Sequence, residues 1–156
     1  MQNRAAMTQA MKASISDVLE QMFYLPLDFL DVGADDAAIH DLEDFLVARL
    51  AFSGNPSGRF FLQVPRDLAL SATCDFLGVT PSDLEPGQVE GTLLEMINML
   101  AGNALSHYDS ATLFDLDMPM TCERDALRDA MRGEGEVLKV GISTPGGRMH
   151  FNLVVP

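Results

Sequence analysis

Two pairs of apolar runs, each joined across a short turn rich in Gly, Pro and Ser, constrain the fold of this 156-residue chain more than any other feature. The run 45–52 meets Ser53-Gly54-Asn55-Pro56-Ser57-Gly58 and is answered by 59–64. The run 136–142 meets Ser143-Thr144-Pro145-Gly146-Gly147 and is answered by 148–155. Runs this short, reversed within a few turn residues, read as antiparallel hairpins. Neither turn fits G-x-x-x-x-G-K-S/T or G-x-G-x-x-G, and both join strand to strand, so they are not phosphate loops.

Helical spacing fills the rest. From about Ala5 to Met22, the residues Ala6, Met7, Ala10, Met11, Ile15, Val18, Leu19 and Met22 recur mostly three and four apart, and Pro26 lies beyond the end. The polar face of this helix is not lysine-rich, which favours packing on a sheet over lying on a membrane. Residues 29–44 are acidic and irregular and read as loop with some local structure. Pro65 ends a strand and suits the first turn of a helix over Arg66 to Phe76, closed by Gly78 and Pro81. Pro86 opens the longest helix, running to about Tyr108. Leu113 to Met118 partly alternates and reads as a strand ended by Pro119, before a short helix near Glu123 to Met131. There is no βαβ rhythm, tandem repeat or low-complexity linker. The expectation is one α+β domain over residues 1–156, its hairpins forming a sheet against the N-terminal and central helices.

Charge removes several function classes. The formal net charge is −13, and Lys12 and Lys139 are the only lysines. Such a surface repels phosphate backbones and anionic headgroups, which argues against nucleic acid or a membrane as partner. Most of this charge is explained by solubility. The N-terminus lacks an apolar core followed by a small-residue cleavage site, and no apolar run is long enough to span a bilayer, so a cytoplasmic protein is expected. Cys74 and Cys122 form no CxxC pair and read as free thiols. His40, His107 and His150 are isolated, so no metal site is expected.

The central helix has two contrasting faces. At 100° per residue Leu93, Ile97, Leu100 and Ala104 form a core stripe, and Gly91, Glu95, Asn98, Gly102 and Ser106 align on the opposite side. Glycine inside a helix costs roughly 1 kcal/mol relative to alanine, so two on one face ask for a reason. One reason is close approach of another backbone, from this chain or from a partner. Taken alone, Glu-x-x-Asn is a weak signal, and an exposed polar helix face is the simpler account.

A resemblance reverses that preference. The stretch Glu95-Met96-Ile97-Asn98-Met99-Leu100-Ala101-Gly102 resembles the E-x-x-N-x-x-x-G helix of the chemotaxis phosphatases CheX, CheC and FliY, and CheX most, because a single such helix is present. The element order also follows the family, and Pro119 resembles the proline that comes after its active helix. The resemblance implies a phosphatase acting on phosphorylated receiver domains of the CheY type. Glu95 would pair with the receiver's active-site lysine and Asn98 would orient the attacking water, with Gly91, Gly102 and Ser106 on the partner-binding face. It further implies no cofactor of the chain's own, Mg²⁺ on the receiver, and pairing as a homodimer, whose contact is not legible in the sequence. Two departures stand out. Gly91 occupies a position where the family often has Asp or Ser, and the N-terminal helix offers only Asp17-x-x-Glu20, which lacks the amide.

Two rivals accompany this reading. A non-catalytic adaptor would keep the fold and bind a receiver without hydrolysis, and Gly91 lends it some support. A hydrolase could use His107, Asp109 and Ser110, or Cys74 or Cys122 with a histidine, but no nucleophile elbow surrounds them. The plain readings of Cys74 and His107 are a core residue and a helix-end residue.

Overall fold

A computed structural model describes residues 3–30 and 44–156. Helix α1 spans Arg4–Ile15, and the Asn3 side chain caps it by accepting from the Ala6 amide at 3.2 Å. It continues as a π-helical turn over Ser16–Glu20. A π turn holds one more residue than an α turn, and this changes which side chain reaches the core. Phe23 is fully buried, whereas Met22, expected on the apolar stripe, is 46% exposed.

The hairpins form as read. Strands β2 (Phe45–Ser53) and β3 (Gly58–Pro65) pair from Phe45↔Pro65 to Phe52↔Gly58. Strands β6 (Glu136–Thr144) and β7 (Gly147–Val155) pair from Glu136↔Val155 to Thr144↔Gly147, across a tighter turn than the sequence suggested. The short β1 (Asp28–Phe29) adds to β6, and the remainder of the acidic stretch, 31–43, lies outside the described residues. Helix α2 (Arg66–Leu77) has Pro65 at its N-cap rather than in its first turn, and it ends on left-handed Gly78. Helix α3 (Gln88–Tyr108) begins two residues after Pro86, behind left-handed Gly87.

After α3 the single expected strand, Leu113 to Met118, is two shorter ones. These are β4 (Asp115–Leu116) and β5 (Met120–Cys122), both paired with the outer edge of β2. Three residues, Asp117 to Pro119, stand opposite Leu50 and Ala51, so the edge bulges. Pro119, without an N–H, falls inside that break rather than at the end of the pairing. Helix α4 (Arg124–Arg132) follows.

The described strands make one antiparallel sheet in the order β1-β6-β7-β3-β2, with β4 and β5 together on the far edge. On one face, Met7, Met11, Ile15 and Leu19 of the N-terminal helix and Leu93, Ile97, Leu100 and Ala104 of α3 pack over Leu50, Phe60, Leu62 and Phe151. On the other, Leu127 of α4 sits against Phe45, Val47, Phe61 and Val154. The methionines divide accordingly. Met7, Met11, Met96 and Met149 are core residues, while Met118 and Met120 on the bulged edge are exposed.

Candidate functional site

The core stripe anticipated for α3 is buried throughout, and Met96 joins it. One side of a 21-residue helix is therefore pinned to the sheet, and its other side must face out. Gly91, Glu95, Asn98 and Ser106 are exposed and Gly102 is half-buried, so all five lie along one accessible edge. Among the described residues, neither Glu95 nor Asn98 makes a side-chain hydrogen bond or ion pair. A carboxylate and a carboxamide three residues apart stand free on a rigid support.

Among the described residues, nothing explains the glycines on this edge. A Cβ built on Gly91 would meet nothing within 4 Å, and one on Gly102 would reach only Leu116 Cδ2 at 3.9 Å, an ordinary contact. Among the described residues that geometry excludes close approach within this chain, which leaves approach from outside. Alanine at Gly91 is therefore expected to raise stability by about 0.5–1 kcal/mol, read from urea unfolding. No stabilisation would mean that Gly91 meets a constraint absent from this geometry.

Helix α1 braces α3 from the flank. The buried Ser14 hydroxyl donates to the Leu100 carbonyl at 2.7 Å. The Asp17 carboxylate, in the π turn, accepts from Asn103 Nδ2 at 3.3 Å and lies 2.8 Å from His107 Nε2. His107 beside Asp17 holds that carboxyl below its usual range against the opposing cost of burial, with further help from Asn103. Because the folded value is lowered, this contribution to stability is complete above the unfolded carboxylate value near 3.8 and is lost as pH falls through the folded value. Asp17→Asn should be less stable than wild type at pH 5, and the gap should close on acidification toward pH ~2. A gap independent of pH would remove the carboxylate from the explanation. The sequence treated Asp17 as an incomplete second motif and His107 as a helix end, and nothing in their spacing marks them as partners.

The alternative catalytic groups are not assembled. His107 is engaged with Asp17, while Asp109 accepts from Thr112 Oγ1 and from the Ala111 amide, and these bonds keep its carboxyl low. Cys74 is buried. Burial pushes the Cys122 thiol up, away from the thiolate a nucleophile needs, and that thiol donates to the Glu123 carbonyl at 3.3 Å. Among the described residues no group of three His, Cys, Asp or Glu could hold a metal ion, and no helix is long and apolar enough to cross a membrane.

Two hollows open beside the polar edge. Phe76, Leu77, Gln88, Gly91, Thr92 and Glu95 line one, and Gly102, Ser106, Leu113, Phe114 and Leu116 help line the other. A larger cleft of about 450 Å³ lies between β2 and the start of α2, but it contains none of the five edge residues. Its charges are internally used in part, since Arg66 pairs with Asp44 at 2.8 Å and Arg124 lies over the Phe45 ring at 4.2 Å. The free pair of polar side chains on α3 is the better candidate site.

Comparison with known proteins shows the family to which the chain belongs. The family model described as chemotaxis phosphatase CheX matches residues 46–141, more than half of the chain and all of α3. Among solved structures, the chain is similar to chemotaxis protein CheX from Vibrio vulnificus, with a TM-score of 0.74 and 21% identity, covering 98% of each chain. It is similar to a chain of the CheX-CheY-BeF3-Mg complex from Borrelia burgdorferi, with a TM-score of 0.73 and 17% identity, covering 94% of this chain and 96% of that one. It is also similar to FliY from Thermotoga maritima, with a TM-score of 0.59 and 14% identity, covering 94% and 83%. At these identities the structural likenesses show a shared fold. No curated protein sequence matches the chain.

Proposed function

The chain belongs to the CheX family of chemotaxis phosphatases, and from that premise we propose that it removes phosphate from a phosphorylated receiver domain of the CheY type by presenting the α3 edge to the receiver's active site. The observation that carries this reading is the pair Glu95 and Asn98, exposed and unengaged on a helix whose opposite side is fully packed. The solved complex from Borrelia burgdorferi, in which a CheX is bound to CheY with BeF3 and Mg²⁺, supports a receiver as the partner.

An aspartyl phosphate is an activated acyl phosphate, so a phosphatase acting on it needs no nucleophile of its own. Water attacks phosphorus in line, the P–O bond to the receiver's aspartate breaks, and inorganic phosphate leaves. The receiver's lysine and Mg²⁺ hold the developing charge, and this chain supplies no cofactor. What it adds is placement of the water. Asn98 suits that task because an amide both donates and accepts hydrogen bonds and does not titrate. Glu95, one turn earlier, pairs with the receiver's lysine and fixes the depth of entry. The protein works in the cytoplasm, where receivers are, as a single domain that pairs into a homodimer.

The decisive experiment follows phosphate release from phosphorylated CheY-type receivers of the same organism, with wild type and Glu95→Gln. Acceleration by wild type, with a weaker receiver complex and slower release for the variant, is the expected result. Binding without any acceleration would establish the adaptor reading, which Gly91 favours by departing from the family's usual Asp or Ser at that position.

A further inference from the structure

The hollow at the C-terminal end of the polar edge differs from an ordinary surface dimple. It has a volume of about 270 Å³, and its walls include Leu113, Phe114 and Leu116 beside Gly102 and Ser106. Leu113 is 91% exposed and Leu116 is 37% exposed. An isolated exposed leucine needs no explanation. Here two of them wall a cavity that shares Gly102 and Ser106 with the edge carrying Asn98.

The charged side chain lining this hollow is acidic, Asp109, and the edge beside it is mostly acidic, with Arg49 of β2 further along against Asp117 and Met120. Between Arg66 and Arg124 the chain contains ten Asp and Glu residues and not one Lys or Arg. That span holds α2, α3 and both short edge strands. Among the described residues, none of those ten carboxylates forms an ion pair within 4 Å. Asp109 lines the hollow, and Asp115 and Asp117 flank Leu116. A partner seated here meets an apolar socket inside a mostly acidic surround, which is the complement of an apolar side chain ringed by lysine or arginine.

We propose that this hollow is the specificity socket for the receiver: it takes an apolar side chain from the rim of the receiver's active site, and the acidic surround selects receivers whose rim is basic. This rests on the receiver reading above and adds to it which receivers are accepted. The two parts act on different rates. Unpaired carboxylates steer the encounter and so raise the association rate, with a strong dependence on salt. Burial of the apolar side chain slows dissociation.

The test measures binding of a beryllofluoride-activated, Mg²⁺-loaded receiver, together with phosphate release from the phosphorylated form. Wild type, Leu113→Ser and Asn98→Ala are compared at low salt and at about 0.3 M, where screening is short-ranged. Leu113 is exposed, so its replacement leaves the core untouched. The expected result is about tenfold weaker binding for Leu113→Ser, mostly in dissociation, with release at saturating receiver unchanged. Association of wild type should slow about tenfold at the higher salt. If wild type binds and dephosphorylates while Leu113→Ser binds equally well, or if salt leaves association unchanged, the socket proposal is overturned and the phosphatase reading stands. If wild type neither binds nor dephosphorylates any receiver of the same organism, the receiver reading fails and takes this one with it. Self-association of wild type that Leu113→Ser abolishes, with receiver binding intact, would assign the hollow to a second copy and likewise overturn the proposal.

Discussion

Replacing Asn98 with alanine is expected to leave the fold and receiver binding intact and to cut phosphate release by roughly a hundredfold, a loss typical of removing one positioned group. The side chain is exposed and has no partner among the described residues. Its removal should therefore change stability by no more than about 0.5 kcal/mol. All of its worth lies in the complex, where the amide holds a water in line with the phosphoryl group. Asn98→Asp is the informative contrast. It keeps the shape but adds negative charge beside a phosphoryl group, so it should weaken binding as well as slow release. Equal release by wild type and Asn98→Ala, at saturating receiver, would remove Asn98 from the mechanism and leave Glu95 without its proposed companion.

The largest effect on stability is expected at Phe60. It is fully buried and stacks on both sides, with ring centroids 5.0 Å from Phe151 at 8° and 5.1 Å from Phe52 at 29°. Phe60→Ala removes that ring from the face of the sheet on which α1 and α3 rest. The cost should be about 4 kcal/mol, the transfer and cavity contributions together, with the two ring contacts adding to the burial itself. For a chain of this size that corresponds to a fall in Tm of roughly 10 °C. Urea unfolding with an unchanged slope would measure it. A loss below about 1 kcal/mol would mean that the cavity collapses freely, contrary to the close stacking seen here.

The elements were largely legible because their determinants are local. Gly and Pro punctuated both hairpins, both ends of α2 and the start of α3, and apolar spacing marked the helices. Where the reading failed, the cause was not local. Regular periodicity puts Met22 on the core stripe, but the preceding turn is π-helical and gives that position in the core to Phe23. The strand expected over Leu113 to Met118 is split because β2 offers two residues where the edge brings three. That count exists only once the strands are paired. His150 and Asn152 alternate with Met149, Phe151 and Leu153, a pattern that alone would turn them to solvent. Both are 2% exposed, because β7 is central in the sheet and buried on its two faces.

The candidate site divides in the same way. Glu95 and Asn98 could be singled out from the sequence, since the helical period of 3.6 residues dictates which residues share a face, and a family resemblance then gave that face a meaning. The α+β class, the two hairpins and the polar edge were thus determined by spacing along the chain. Tertiary structure alone decided that Gly91 and Gly102 have no close contact among the described residues to explain them, that Asp17 holds Asn103 and His107, and that Leu113 and Leu116 wall a hollow beside Ser106. The physical reason is distance along the chain. Helical and strand periods propagate over a few residues, whereas Asp17 and His107 lie 90 positions apart and meet only because α1 and α3 pack side by side on one sheet.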